Sequence, residues 1–417
     1  MGDMALRLGM QAARKAIQSP FLSASGKKSL DIRIAGEQGK LLFKVFSQMK
    51  GVPLKLAQAL SLEEEMLPEE IRKELAKSCY NVPPINRGLV RKILTREFGQ
   101  TPEDIFAEFD YVPFAAASLG QVHMAKGPRG RALAVKLQYP GISEAIRSDL
   151  AILKTFSAYV PLKIDIRGAM AEVEGRLMEE LDYSKEMEWT AWFGKHLRLP
   201  GVATPKVEPS LCAENILTTH FLPGAHLEKW LSAGPSQDRR DRVAGLLFRL
   251  FLHSVYRLRA LHADPNPGNF LIDERDHVNL LDFGCVKRFR PEFTDHLAGI
   301  MGLAISGSEA KALDAFWEHG FIASPAGKGR DAATREKLLG MLSWIRRPYQ
   351  GGSFDFSRVG VFFEEGRRLG LEFLSHNPSL AFSPEFVFLD RVRYGLYRIF
   401  QKMGARVDLR NQWESQG

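Results

Sequence analysis

The sequence predicts an α+β fold: a small antiparallel sheet with one long helix, followed by a mainly helical half that contains an acidic loop and a short strand pair. Three observations predict it. First, short apolar and β-branched runs of strand length lie around Phe109 to Phe114, Gln121 to Ala125 and Ala132 to Gln138. Second, Met170, Val173, Leu177 and Leu181 repeat at helical spacing within a pattern that fills about 168 to 197. Third, His262-Ala263-Asp264-Pro265-Asn266-Pro267-Gly268-Asn269 is followed by Leu281-Asp282-Phe283-Gly284. Asn269 stands five residues after Asp264 and Asp282 opens a D-F-G, the spacing of a phosphoryl-transfer centre.

Taken in order, residues 1 to 89 read as a helical extension. Leu6, Met10, Ala13 and Ile17 form one stripe with Arg7, Arg14 and Lys15 off it, which suits either a membrane surface or a seat on the chain's own body. Leu42, Val45, Phe46 and Met49 share a face, Gly51 and Pro53 break the run, and Glu63 to Lys77 is a second, charge-rich helix. Val82-Pro83-Pro84 reads as a linker. The sheet-bearing lobe spans 90 to 225, with further strands near 201 to 208 and 213 to 222. The mainly helical lobe spans 226 to 417, with a strand pair around 270 to 282. Gly327 to Arg330 and Tyr349 to Ser353 read as surface loops, and no internal repeat is present.

Composition narrows the function classes. A chain of 417 residues with 45% hydrophobic and 25% charged residues has material for full cores and is not generally disordered. A net charge of +8 suits an anionic partner, nucleotide or acidic lipid. Zinc-finger spacing and RNA-binding aromatic motifs are absent, so nucleic acid is not expected as a partner. Cys79, Cys212 and Cys285 are isolated and no C-x-x-C occurs, which suggests neither a disulfide framework nor a zinc site and fits a reducing compartment. No run of 18 apolar residues and no signal-peptide block occur, so the expected location is cytoplasmic, with peripheral contact at the inner membrane face.

The acidic loop carries the chemistry. Mg²⁺ takes hard oxygen ligands and uses one or two protein carboxylates beside phosphate oxygens, which Asp282 and Asn269 can provide. Asp264 can accept a proton from an attacking hydroxyl, or orient it. Such residues also build plain turns, so the reading draws on a lysine upstream. Ala134-Val135-Lys136 has the context of V-A-I-K, whose lysine holds the α/β phosphates and pairs with a helix glutamate. A glycine-rich phosphate loop should precede it, but the chain reads Ala115-Ala116-Ala117-Ser118-Leu119-Gly120-Gln121-Val122-His123. Each alanine carries a Cβ that limits how closely backbone and phosphate approach, so nucleotide must be handled differently. Gly36-Glu37-Gln38-Gly39-Lys40 lacks Walker A spacing and no dinucleotide fingerprint follows a strand. His262, with no partner at zinc spacing, reads as a residue that pins the loop. Cys285 reads as a small buried side chain or a thiol near the nucleotide. After the D-F-G only Cys285 to Arg290 precede Pro291, which opens the next helix; no A-P-E follows, so a peptide substrate is not expected.

With these residues in view, the chain resembles the UbiB (AarF) family of atypical kinase-like proteins over about 40 to 405. The alanine loop with Gly120-Gln121-Val122-His123, the H-x-D-P-x-P-G-N loop, the E-x-D element Glu180-Leu181-Asp182 and the K-x-G-Q-like element Lys55-Leu56-Ala57-Gln58 carry the resemblance. It implies a bilobal protein-kinase-like fold with the N-terminal extension laid across the peptide site. It implies that Lys136 pairs with Glu186, that Asp264 is the catalytic-loop aspartate, and that Asn269 and Asp282 bind Mg²⁺. Lys55 and Gln58 would reach the site near Glu180 and Asp182, Ala115 to Ser118 would cover the phosphates, and Thr218 to Leu222, with Thr219, His220 and Leu222, would contact adenine. The implied ligands are ATP or ADP with Mg²⁺. The implied activity is ATP hydrolysis or phosphoryl transfer to a prenyl lipid or small-molecule acceptor, in ubiquinone or related lipid metabolism. A nucleotide-gated lipid-binding scaffold and a small-molecule kinase of the aminoglycoside or choline type are the alternatives. Two departures stand out: Ala57 in place of the K-x-G-Q glycine, and Asn266 where many members carry histidine.

Overall fold

A computed structural model describes residues 84–414 apart from 118, 158–173, 176, 265, 324–329 and 377–379. The expected extension, with Lys55, Ala57 and Gln58, therefore lies outside the described residues up to 83, as do Ser118 and most of the loop expected at 327 to 330. The chain forms two compact units, one of residues up to 187 with 207–221, the other of 188–206 with 222 onward, so the boundary falls within the helix Tyr183–His196.

The strands up to residue 290, in chain order, are β1 (Glu108–Phe109), β2 (Ala115–Ala117), β3 (Gly120–Lys126), β4 (Ala132–Gln138), β5 (Val202–Ala203), β6 (Ile216–His220), β7 (Ala225–His226), β8 (Ala260–His262), β9 (Phe270–Ile272), β10 (Val278–Leu280) and β11 (Val286–Arg288); two short two-stranded ladders follow. In the first unit β1-β3-β4-β6 form an antiparallel sheet, with β2 also paired to β3. Opposed residues of an antiparallel ladder share a face, so the register Val122↔Lys136↔Leu217 sorts the side chains. Leu133, Val135, Leu137 and Ile216 lie on one face and pack into a core with Val90 and Leu94 of the helix Arg87–Phe98. On the other face Leu217 and Gln138 are buried, while Met124, Ala134, Lys136 and Thr219 are half-buried.

Gln121 and His123 lie on the core side of the sheet, away from Lys136. The Ile85 amide donates to Gln121 Oε1 (3.0 Å), Gln121 Nε2 lies 2.7 Å from His123 Nε2, and His123 Nδ1 lies 2.8 Å from the Asp110 carbonyl. A carbonyl only accepts, so Nδ1 carries the proton and Nε2 accepts from the glutamine. The motif thus serves as a buried anchor for the chain at Ile85. Burial pushes the His123 imidazole below its usual value. The unfolded chain then takes up the proton first, so this contribution to stability is complete above about pH 6.5 and is lost as pH falls toward the folded value. Thermal melts between pH 7.5 and 5 should therefore fall less steeply for His123→Asn than for the parent; equal slopes would contradict the assignment.

The sequence pattern over 168 to 197 suggests one helix, but the chain breaks at Leu181–Asp182 and starts a new helix at Tyr183. The Leu181 carbonyl accepts from Gln138 Nε2 (2.5 Å). The Lys185 amide that would have continued the helix instead donates to Asp182 Oδ1 (2.9 Å), an N-cap. A tertiary contact and a capping aspartate outweigh the periodicity.

In the second unit β5-β10-β9-β7 form one small sheet and β8 pairs with β11. Its core is helical: the helix Gln237–Leu252, capped by Ser236, buries Val243, Leu247, Phe248, Phe251 and Leu252 against Leu396 and Phe400 of the helix Pro384–Met403. Pro291 is the first residue of the helix Pro291–Ile305, as the short segment after the D-F-G suggests. Tyr349, read as part of a surface loop, is buried instead: its hydroxyl donates to Glu414 Oε2 (3.0 Å) and accepts from Arg393 (2.8 Å).

Candidate active site

Two sets of groups are present, one in each unit. In the first, Lys136 Nζ stands 2.8 Å from both carboxylate oxygens of Glu186. The Glu186 side chain is 3% exposed and that of Lys136 15%, so the pair is desolvated and each charge depends on the other. The Tyr183 ring lies under the ammonium at 4.8 Å, a cation–π contact that sequence reasoning missed although Tyr183 follows the E-x-D element directly. Glu186 reaches this position because the cap at Asp182 starts the helix four residues earlier.

The alanines form a strand rather than an open phosphate loop. The pairings Ala115↔Val122 and Ala117↔Gly120 put the Cβ atoms of Ala115 and Ala117 on the Lys136 face, and Ala116 on the other. Gly120 cannot be exchanged in the same way: a Cβ there would meet the Leu137 carbonyl oxygen at 2.0 Å. Thr219, opposite Ala134, shares the Lys136 face. His220 does not; its ring lies 3.1 Å from Arg131 and 3.4 Å from Glu208. Leu222 follows as the first residue back in the second unit and is half-buried. Glu180 is half-buried, and Asp182, exposed, spends one carboxylate oxygen on its cap.

In the second unit the acidic residues sit on loops tied together through the backbone. The helix Gln237–Leu252 runs into a π-helical turn, His253–Leu258, then Arg259 at φ 51°, then β8. The pairing of β8 with β11 continues past the strand through the Ala263 amide, which donates to the Cys285 carbonyl (2.9 Å). Asn269 Nδ2 donates to Asp264 Oδ2 (2.9 Å), which fixes the carboxylate and leaves the amide oxygen as the atom able to face a cation. Asn266 Oδ1 accepts from the Gly268 amide (2.9 Å) and caps the short turn Pro267–Asn269, so asparagine has a structural role at this loop position. The Leu281 amide donates to the Asn269 carbonyl (2.8 Å), which brings the two loops side by side.

Asp282 adopts the left-handed region, φ 53°, and its Oδ1 accepts from the Gly284 amide (3.1 Å). A non-glycine residue there is uncommon and tends to persist where function demands it. His262 Nε2 lies 2.5 Å from the Asp282 carbonyl, so His262 does pin this loop. Phe283 is fully buried against Phe193 (centroids 4.8 Å). Cys285 is half-buried. No group of three or more His, Cys, Asp or Glu side chains forms a metal cage among the described residues. The donor set of one carboxylate and one amide oxygen suits Mg²⁺, which keeps water and phosphate oxygens for the rest of its shell.

A sheet that presents a lysine fixed by a buried helix glutamate, and a helical unit that carries an Asp-Asn-Asp loop set, define a protein-kinase-like α+β fold. The chain belongs to the ABC1 atypical kinase-like domain family, whose profile matches residues 77–315; this is the family to which the UbiB (AarF) signatures point. It is 29% identical to the mitochondrial atypical kinase COQ8 of Saccharomyces cerevisiae over 97% of this chain and 81% of the relative. It is 30% identical to the mitochondrial atypical kinase COQ8B of Rattus norvegicus over 85% of this chain and 68% of the relative. A solved Mycobacterium tuberculosis protein, in complex with erythromycin, matches with a TM-score of 0.64 at 25% identity, over 92% of this chain and 96% of that one.

Proposed function

We propose that this chain is a Mg²⁺-dependent ATPase or phosphotransferase that acts in, or supports, ubiquinone or other prenyl-lipid metabolism. The observation that carries the reading is the Asp264–Asn269 contact on a loop bonded to the turn of Asp282. Lys136, steadied by Glu186, takes the α/β phosphates of ATP or ADP. Asn269 and Asp282 hold Mg²⁺, which supplies charge neutralisation at the phosphates. Asp264, its carboxylate oriented by Asn269, accepts the proton of the attacking hydroxyl or water. In this reading Thr219 and Leu222 take the adenine base. The acceptor is a prenyl lipid or small molecule; a peptide is disfavoured by the short segment between Gly284 and Pro291.

Peripheral contact with a membrane is part of this reading, since the net charge of +8 suits acidic lipid; separately, no helix among the described residues is long and apolar enough to cross a bilayer. The two alanine Cβ atoms on the Lys136 face favour a second reading, a lipid-binding scaffold gated by nucleotide with little chemistry. Measuring ATP turnover with and without Mg²⁺ on vesicles that contain a prenyl quinone separates the two. Turnover that falls by about 10²-fold or more in Asp264→Asn supports the enzyme. Nucleotide binding without turnover in the parent chain contradicts it and favours the scaffold.

A further inference from the structure

The π-helical turn His253–Leu258 directly precedes β8 and the Asp264 loop, and it is held from a distant part of the chain. A π turn contains one residue more than an α turn needs, and such turns are rare unless their surroundings hold them. Here the holding group is Tyr256. Its hydroxyl donates to Glu414 Oε1 (2.6 Å), and its ring stacks on Trp413 (centroids 5.9 Å, planes 16° apart). Glu414 is itself fixed. It is fully buried, takes Arg393 Nη2 at 2.5 Å on Oε1, and accepts from Tyr349 (3.0 Å) and Asn411 (3.2 Å) on Oε2.

We propose that Trp413 and Glu414 clamp the π-helical turn and so set the register of β8, which makes them positioning residues for the nucleotide site. If the turn relaxed to an α turn, the chain beyond it would shift by one residue. In a strand, a one-residue shift carries every side chain to the opposite face. β8 would lose its pairing with β11 (His262↔Val286), and His262 would leave the Asp282 carbonyl that it now holds at 2.5 Å. The clamp therefore acts on Asp264 and Asp282 through Tyr256 and His262, without touching either. This deepens the phosphoryl-transfer reading of the 262–282 loops and rests on it.

The test uses the full chain labelled with ¹⁵N-histidine, the His262 signal being assigned by its loss in His262→Asn. The Asp282 carbonyl can only accept, so His262 should be protonated at Nε2 in a single tautomer. Trp413→Ala is expected to abolish that single-tautomer signature and to lower Mg²⁺-ATP turnover by about 100-fold, as small displacements of catalytic groups do. Trp413→Phe, which keeps an aromatic face on Tyr256, should restore both. An unchanged His262 signal in Trp413→Ala would overturn the proposal. Should that variant fail to fold, Tyr256→Phe, which removes only the hydroxyl, gives the same test with the same two outcomes. Absence of turnover in the parent chain would instead defeat the phosphoryl-transfer reading, and the His262 signal would still judge the clamp.

Discussion

Asp282→Asn is expected to remove the Mg²⁺-dependent part of nucleotide binding and to lower turnover by about 10²–10³-fold, the scale seen when one preorganised electrostatic group is lost from a reaction centre. Asparagine is the informative replacement. It tolerates the left-handed backbone that Asp282 adopts at φ 53°, and its side-chain oxygen can still accept from the Gly284 amide. The charge is lost while the backbone turn and the Gly284 contact are kept, so the melting temperature without nucleotide should fall less than in Asp282→Ala. Asp282→Ala would mix two effects, because alanine in this region adds about 1–2 kcal/mol of strain. Steady-state turnover beside a nucleotide-free melt separates them, and equal turnover in parent and Asp282→Asn would contradict the assigned role.

The largest expected effect on stability lies elsewhere, at Arg393. Its guanidinium and the Glu414 carboxylate are 6% and 0% exposed, and the carboxylate accepts from Arg393, Tyr256, Tyr349 and Asn411. Arg393→Met leaves a buried carboxylate with hydrogen bonds but no counter-charge, which costs about 3–5 kcal/mol. The double variant Arg393→Met with Glu414→Gln removes both charges and should recover much of that loss, because a buried ion pair gains little over a neutral, well-packed replacement. Urea midpoints of the two variants and the parent decide it. A double variant no more stable than Arg393→Met would show that the ion pair itself, and not the stranded charge, sets the cost.

The legible part of this molecule is the set of loop contacts whose spacing is local. Asp264, Asn269 and Asp282 stand close in the chain, and the hydrogen bonds that join their loops run between residues that the motif already names. The short segment before Pro291 was legible for the same reason. Glu186 was not, since it lies 50 residues from Lys136 and no spacing rule connects them; only the family resemblance supplied the pairing. The break at Leu181–Asp182 hid behind a sound apolar stripe because its cause is Gln138 on β4, a tertiary contact. Tyr349 looked like loop material because its burial depends on Arg393 and Glu414, far along the chain. Gln121 and His123 were read together with the alanine loop, and only the register with β4 shows that they face away from Lys136. The helix Arg87–Phe98 carries readable signals, Asn86 at its N-cap and Gly99 in the left-handed conformation after its end, which the neighbouring linker prolines obscure.

The central claim, that this chain binds a Mg²⁺-nucleotide through the Asp282 loop, is tested most directly by thermal-shift titration with ATP and with ADP, with and without Mg²⁺, beside Asp282→Asn. A ligand that binds only the folded chain adds about 2.7 kcal/mol at a hundredfold excess over its Kd. A Mg²⁺-dependent rise in melting temperature in the parent, absent from the variant, is the predicted result. No rise with either nucleotide, or the same rise in Asp282→Asn, would contradict the account.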